Sequence, residues 1–288
     1  MASETLRAAC HAEHLALAEE AAGRFEPPGV EISGQRWELG MPVPPGTKLI
    51  HWVRHGQGYH NLLAEVSRQL GANFTDSGDY DKVQKDKFNP YLQEAIKDPP
   101  LTCLGIADAK ALWPIAKTLK PQLLVVSPLK RATQTILIAF REAVRGGTPV
   151  IAHGGCREQY GVNVCDRRSS RSEFAETFPE VDTSCIKHEE DPTSATRRET
   201  YLEMAHRAHD FMLWLRDRPE TEIVVGTHSA FLMAVFNIAM QIQGDSLKSF
   251  FRTGEMRSVL LQFADLQTER RLRAKRSLPD PLAEDTSP

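Results

Sequence analysis

The sequence predicts an α/β fold: a three-layer α/β/α sandwich with a mostly parallel central sheet. Two observations lead to this prediction. Short, continuously apolar runs, at 123–126 and 223–225, are typical of strands buried on both faces. Segments with helix-forming residues follow these runs in alternation. Such alternation favours crossover connections, which make neighbouring strands parallel and cover both faces of the sheet with helices.

The elements follow from local patterns, taken in chain order. Segment 1–25 mixes Glu, His and Arg with Ala and Leu, and predicts an amphipathic helix packed on the domain. Gly and Pro are frequent in 29–45, so we expect irregular structure at a sheet edge. Segment 71–100 is polar and turn-rich, and so long a connection is typical of a lid or binding loop. Strands are predicted at 48–53, 123–126, 149–152, 223–225 and 257–263, and helices at 59–70, 104–119, 130–144, 198–216 and 230–240.

These elements predict three parts of the chain. Residues 1–45 form an N-terminal helix and edge extension. Residues 46–265 form the main domain, which contains the lid-like insertion 71–100. Residues 266–288 are charged and then rich in Pro, Asp and Ser, which predicts a disordered tail.

Composition narrows the classes of partner and compartment. The formal net charge is -3 with 25% charged residues, so nothing electrostatic indicates nucleic acid or an anionic membrane. No apolar run reaches the roughly 18 to 20 residues of a membrane span. The five cysteines are scattered, which favours a reducing compartment, and we expect a cytoplasmic protein. They include no tight Cys-x₂-Cys pair, so no metal site is predicted. The oligomeric state is left open.

Polar clusters follow four of the predicted strands. They centre on His55 with Arg54, on Arg131, on Glu158 and on His228. In open α/β sheets, ligands bind beyond the carboxyl ends of the strands. An arginine and a helix start together suit a phosphate dianion. A neutral imidazole can attack phosphorus, so His55 is the candidate nucleophile.

These residues and their spacing resemble the histidine phosphatase superfamily, the phosphoglycerate mutase-like proteins. The resemblance spans roughly residues 48–263 in the family's order and is nearest to the eukaryotic mutase-like phosphatases. In those proteins Arg-Glu-x-x-Gly precedes Cys-Asp-Arg-Arg, as at 157–161 and 165–168 here. Asp108 stands where the family usually has glutamine. The other matching pieces are Arg54-His55-Gly56 with Asn61, Leu101-Thr102 with Gly105, Ser127-Pro128-Leu129 with Arg131, and Gly226-Thr227-His228-Ser229.

The resemblance implies a two-step reaction. His55 attacks phosphorus and becomes a phosphohistidine, and Glu158 protonates the leaving oxygen before serving as the base for water. Glu173 and Glu176 are alternative acids in a nearby stretch. No metal or other cofactor is required. The groups implied to hold the phosphate oxygens are Arg54, Arg131, Asn61 and a protonated His228.

A basic cluster at Arg157, Arg167 and Arg168 is the predicted grip for a second anionic group on the substrate. The alternative is a solvated face in which these arginines pair with nearby acids. His60 and His153 either approach the pocket or serve in packing.

The leading hypothesis is a phosphatase that hydrolyses a small phosphorylated metabolite. The first alternative is a phosphoglycerate mutase. The mutases we compare have Glu-Arg-His-Tyr-Gly at the acid, whereas this chain has Glu158-Gln159-Tyr160-Gly161, without the arginine. The second alternative is an inactive phospholigand-binding protein, which the full set of chemical residues disfavours.

Overall fold

The computed structural model describes residues 2–72, 74, 89–193, 197–242 and 244–265. These residues form a seven-stranded sheet with helices on both sides. The strands are β1 (Val30–Arg36), β2 (Lys48–Arg54), β3 (Leu123–Val126), β4 (Val150–Ala152), β5 (Glu222–Thr227), β6 (Gln241–Ile242) and β7 (Met256–Asp265). The helices are α1 (Ala2–Ala22), α2 (Tyr59–Gln69), α3 (Cys103–Ala111), α4 (Trp113–Ala116), α5 (Lys130–Ala139), α6 (Arg141–Arg145), α7 (Arg171–Thr177), α8 (Tyr201–Asp217) and α9 (Ser229–Ala234).

The strand order is β4-β3-β5-β2-β7-β1-β6. Strands β4, β3, β5 and β2 are parallel to one another, and β6 is parallel to β1. Only β7 runs antiparallel to its two neighbours, β2 and β1. The predicted three-layer fold with a mostly parallel sheet is therefore confirmed, and the carboxyl ends of β2, β3, β4 and β5 meet at one edge.

Two apolar cores lie on opposite faces of the sheet. Successive residues of the central strands alternate between them, so Trp52 joins one core and Val53 the other. The first core also includes residues from α1, α8 and α9, and the second includes residues from α5 and α7. Burial on both faces explains the continuously apolar strands on which the fold prediction rests.

Several elements differ from the sequence prediction. Segment 29–45 contains a regular strand, β1, which pairs along its length with β7. The predicted helix 104–119 is divided into α3 and α4 at Pro114, which has no N–H to continue the helical hydrogen bonds. The predicted helix 130–144 is interrupted at Phe140. Helix α7 and strand β6 were not predicted. Most of the predicted lid, residues 75–88, and the predicted tail, 266–288, lie outside the described residues.

Helix α1 packs against α8, α9 and the π-helical turn Val235–Ala239 that follows α9. In the described part of the chain, no helix combines the length and the apolarity needed to cross a membrane.

Candidate active site

A close backbone contact shapes the edge where β2 ends. A Cβ added to Gly56 would lie 2.4 Å from the carbonyl oxygen of Gly105, and one added to Gly105 would lie 2.0 Å from that of Gln57. The two glycines therefore allow the loop after β2 to lie directly on the start of α3. Asp108 fixes the same loop, since its Oδ2 accepts a hydrogen bond from the Gln57 N–H at 3.1 Å. The residue that departs from the family pattern thus anchors this loop.

His55 lies buried in this loop with its ring held in one orientation. Its Nδ1 is 2.6 Å from the carbonyl oxygen of Gly56. A carbonyl can only accept a hydrogen bond, so Nδ1 carries the proton and Nε2 keeps its lone pair. Burial, together with the nearby Arg131 and Arg54, lowers the pKa of His55 well below its ordinary value. Both effects favour the neutral, nucleophilic imidazole.

Arg131 lies on the Nε2 side of His55. Its Nε is 3.4 Å from His55 Nε2, and its other two nitrogens donate to the Cys165 carbonyl and to Asp166. Asp166 also accepts a hydrogen bond from Arg198 at 3.0 Å. The carboxylate of Asp166 therefore holds two arginine side chains in place. Sequence reasoning missed Asp166 and Arg198 as site residues.

A second histidine approaches His55. The rings of His55 and His228 have centroids 5.0 Å apart, and His228 Nε2 is 2.7 Å from the Ser127 hydroxyl. Burial, followed by Arg131 and His55, lowers the pKa of His228 well below its ordinary value. The sequence analysis expects a protonated His228. In the protein alone these surroundings favour its neutral form.

The carboxylate of Glu158 lies beside the start of α9 and accepts hydrogen bonds from three backbone N–H groups, two from α9 and one from Gln159. It accepts hydrogen bonds from the N–H groups of Gln159, Ala230 and Phe231 and from the Ser229 hydroxyl. These donors fix the orientation of the carboxylate. The arrangement suits the base that a second, hydrolytic step requires.

Arg207 on α8 holds the backbone around Glu158. Its guanidinium donates to the carbonyls of Gly155, Arg157 and Glu158, and it pairs with the buried carboxylate of Glu199. Arg207 therefore positions the backbone on both sides of Glu158.

A cavity of about 760 Å³ opens beside these groups, and it is lined by Glu158, Arg54, Asn61 and His60. Arg54 donates to the Phe251 carbonyl and lies 5.0 Å from the centre of the Phe250 ring. Asn61 Oδ1 accepts from the Gly58 N–H, which begins α2. The rings of His55 and His60 have centroids 5.5 Å apart, so the nucleophile lies against a cavity-lining residue.

The structure places the predicted basic cluster outside this cavity. Arg157 pairs with Asp191, and the guanidinium of Arg168 donates to four backbone carbonyls, those of residues 169 and 188–190. Arg167 pairs with Glu94 at the surface. All three side chains bind protein groups, so the geometry gives these arginines contacts in the fold and none with the cavity.

Two other candidates also lie away from the cavity. His153 packs against Phe211 and Trp214 and accepts a hydrogen bond from the Gly155 N–H. Glu173, an alternative acid, pairs with Lys130 at the surface. Glu158 is the predicted acid that lines the cavity.

Sequence reasoning missed the rim of the cavity. His11 and His14 of α1 line it, together with Arg68 of α2 and Arg252. His11 stacks on Phe250 with ring centroids 3.8 Å apart. These segments lie far apart in the sequence, and no motif links them.

Comparison with known proteins decides the family. The model of the histidine phosphatase superfamily, branch 1, matches residues 87–269. The chain belongs to the histidine phosphatase superfamily. The matched range includes Arg131, Glu158 and His228 but begins after His55, so the position of His55 rests on the geometry above.

Relatives of this member of the superfamily carry related names. The chain is 32% identical over 220 residues to "Phosphoglycerate mutase-like protein 1" of Arabidopsis thaliana. The alignment covers 66% of this chain and 71% of that protein. A second Arabidopsis protein, "Phosphoglycerate mutase-like protein", is 32% identical over 212 residues, 64% of this chain and 72% of the relative. Among solved structures, the alpha-ribazole phosphatase from Shigella flexneri aligns with 15% identity over 75% of this chain and 96% of that one, with a TM-score of 0.45.

Proposed function

We propose that this protein is a phosphatase that hydrolyses a small phosphomonoester through a phosphohistidine at His55. The observation that carries the proposal is the bond between His55 Nδ1 and the Gly56 carbonyl, which leaves Nε2 as a neutral nucleophile beside Arg131. Substrate binding breaks only one weak hydrogen bond of Arg131, because its Nε lies 3.4 Å from His55 Nε2. An oxygen of the phosphate can take the place of Nε2 as the acceptor.

In the first step, a bond forms between His55 Nε2 and phosphorus while the bond to the ester oxygen breaks. Glu158 gives that oxygen a proton. In the second step, water attacks phosphorus, its proton passes to Glu158, and the bond to Nε2 breaks. The equatorial oxygens of the phosphate are held by Arg54, Arg131 and Asn61. In phosphoryl transfer, charge stabilisation and positioning supply most of the catalysis.

The proposed reaction uses arginine and histidine side chains in place of a metal ion. The dianion also changes the electrostatics of His228. A bound phosphate favours the protonated imidazole, because an opposite charge nearby stabilises the charged form. We therefore propose that His228 gains its proton together with the substrate.

The mutase-like names of the relatives keep phosphoglycerate mutase as the second candidate. Both activities use the same phosphoenzyme and differ in whether water or a second hydroxyl receives the phosphate. The absence of an arginine after Glu158 favours hydrolysis. Gln159 stands there, fully buried, and binds the Glu199 carbonyl and Arg198.

The test is a panel of phosphorylated metabolites, assayed for phosphate release and for phosphoglycerate isomerisation, with and without EDTA. We expect phosphate release that EDTA does not reduce. Isomerisation with negligible release of phosphate would favour the mutase. Loss of activity on chelation, restored by a divalent ion, would contradict the metal-free mechanism. Binding of phosphate esters with no turnover would favour the inactive ligand-binding protein.

A further inference from the structure

The turn that precedes β7 is tied directly to the segment that carries the nucleophile. The Gly254 N–H donates to the His55 carbonyl at 3.1 Å, and the Arg54 N–H donates to the Glu255 carbonyl at 3.0 Å. Gly254 has φ +68, a conformation that favours glycine, and a Cβ there would lie 2.8 Å from Asp108. The turn 252–255 is therefore fixed relative to His55.

Arg252 begins this turn and extends toward the cavity. Its backbone N–H donates to the Glu255 carboxylate at 2.6 Å, which holds its Cα in place. Its side chain is exposed and lines the cavity. Among the described residues, the guanidinium of Arg252 has no hydrogen bond, ion pair or ring contact.

The other cavity arginines near the reacting end have partners. Arg54 binds the Phe251 carbonyl and the face of Phe250, and Arg198 binds Asp166 and Gln159. Arg252 is thus a cation whose hydrogen-bonding groups are open to a ligand, on a fixed turn two residues from the contact with His55.

We propose that Arg252 binds a second anionic group of the substrate while the reacting phosphate lies against His55. The substrate class is then a phosphomonoester whose leaving group carries a carboxylate or a second phosphate. This inference rests on the proposed function for its reacting end. It assigns the contact with the second anion to Arg252, which lines the cavity, and no longer to the arginines that the sequence predicted, Arg157, Arg167 and Arg168.

The first test compares turnover of substrates that differ only in the second anion. One pair is 3-phosphoglycerate with glycerol 3-phosphate, and the other is propane-1,3-diol bisphosphate with propyl phosphate. We expect the ratio of kcat/KM within each pair to favour the anionic member and to fall about 10- to 100-fold in Arg252→Ala. Arg252→Lys should recover part of the ratio, since it keeps the charge. The two pairs distinguish a carboxylate from a phosphate as the preferred second group.

The matched control is Arg145→Ala. Arg145 is an exposed arginine at the end of α6, at the opposite edge of the sheet from the site. It should leave both ratios unchanged. If Arg252→Ala leaves the ratio of kcat/KM within each pair unchanged, whether or not both values fall, the inference is overturned.

A second test does not depend on turnover. In His55→Ala protein, calorimetric titration should show propane-1,3-diol bisphosphate binding more tightly than propyl phosphate, and His55→Ala/Arg252→Ala should remove the difference. If the unmutated protein hydrolyses none of the esters, the proposed function fails, and this titration still decides the role of Arg252. Equal affinity for the two ligands would refute that role.

Discussion

The two ends of the cavity are built in different ways. At the inner end, His55, Arg131 and His228 are buried, and each follows a parallel strand or opens the helix behind it. At the rim, Arg252 and His11 come from a turn and from the N-terminal helix, and they are partly or fully exposed. The inner end is therefore positioned by the sheet, whereas the rim is positioned by local packing. We expect the chemistry at the inner end and substrate selection at the rim.

The largest expected effect tests whether the inner end performs the chemistry. We expect His55→Ala to lower phosphatase kcat by at least about 10³-fold, because the substitution removes the atom that attacks phosphorus. Thermal unfolding should show that the variant remains folded. His188→Ala removes an exposed histidine and should keep full activity. Near-normal turnover in folded His55→Ala protein would show that His55 at the inner end is not the nucleophile.

The next effect separates the acid–base role of Glu158 from that of the nucleophile. Glu158→Gln keeps an oxygen that can accept the N–H groups at the start of α9 but cannot transfer protons. We expect hydrolysis of alkyl phosphates to slow by roughly 10² to 10⁴, and that of nitrophenyl phosphate by less, because nitrophenolate leaves without protonation. Glu176→Gln, at the exposed surface, is the control. An equal loss for both leaving groups would show that Glu158 is not the acid of the first step.

The sequence predicted that the two histidines of the inner end lie close together, because sheet geometry constrains their positions. Strand ends of a parallel sheet meet at one edge, so a histidine after β2 and another after β5 must come together. The contact between Asp166 and Arg198 could not be predicted from the sequence. It joins residues 32 positions apart, and it depends on how the intervening chain folds.

At the rim and in the basic cluster, the sequence pattern does not show which groups the arginines contact. Arg157 and Arg168 belong to the predicted basic cluster, which suits a binding patch and a structural network equally well. Their partners are Asp191 and carbonyls of the segment 188–190, and no periodicity indicates those contacts. Arg252 lies in no motif, and its access to the cavity depends on the turn at Gly254.

A matched pair of arginines tests whether the basic cluster stabilises the fold. Arg168 is buried and holds four carbonyls, whereas its neighbour Arg167 makes a partly exposed pair with Glu94. We expect Arg168→Ala to lower the free energy of unfolding by about 2 to 4 kcal/mol, because buried acceptors lose charged donors. Arg167→Ala should cost less than about 1 kcal/mol. Urea unfolding measures both. If Arg168→Ala instead raises KM strongly without loss of stability, Arg168 binds substrate, as the sequence analysis predicts.

The smallest effect concerns the pH dependence of stability, which reports how strongly the inner end is shielded from water. Burial lowers the pKa of both His55 and His228 in the folded protein. Below the unfolded value of about 6.5, the unfolded chain therefore binds protons that the folded one does not.

Because the unfolded state binds more protons in that range, the free energy of unfolding must fall as the pH drops from 7 toward 5. Each of these histidines contributes up to about 1.4 kcal/mol per pH unit. His228→Gln should make this slope shallower by the contribution of one histidine. Urea titrations at several pH values give the slopes. An identical slope in the unmutated protein and in His228→Gln would mean that water reaches the inner end as freely as the rim, and the distinction between the two ends would fail.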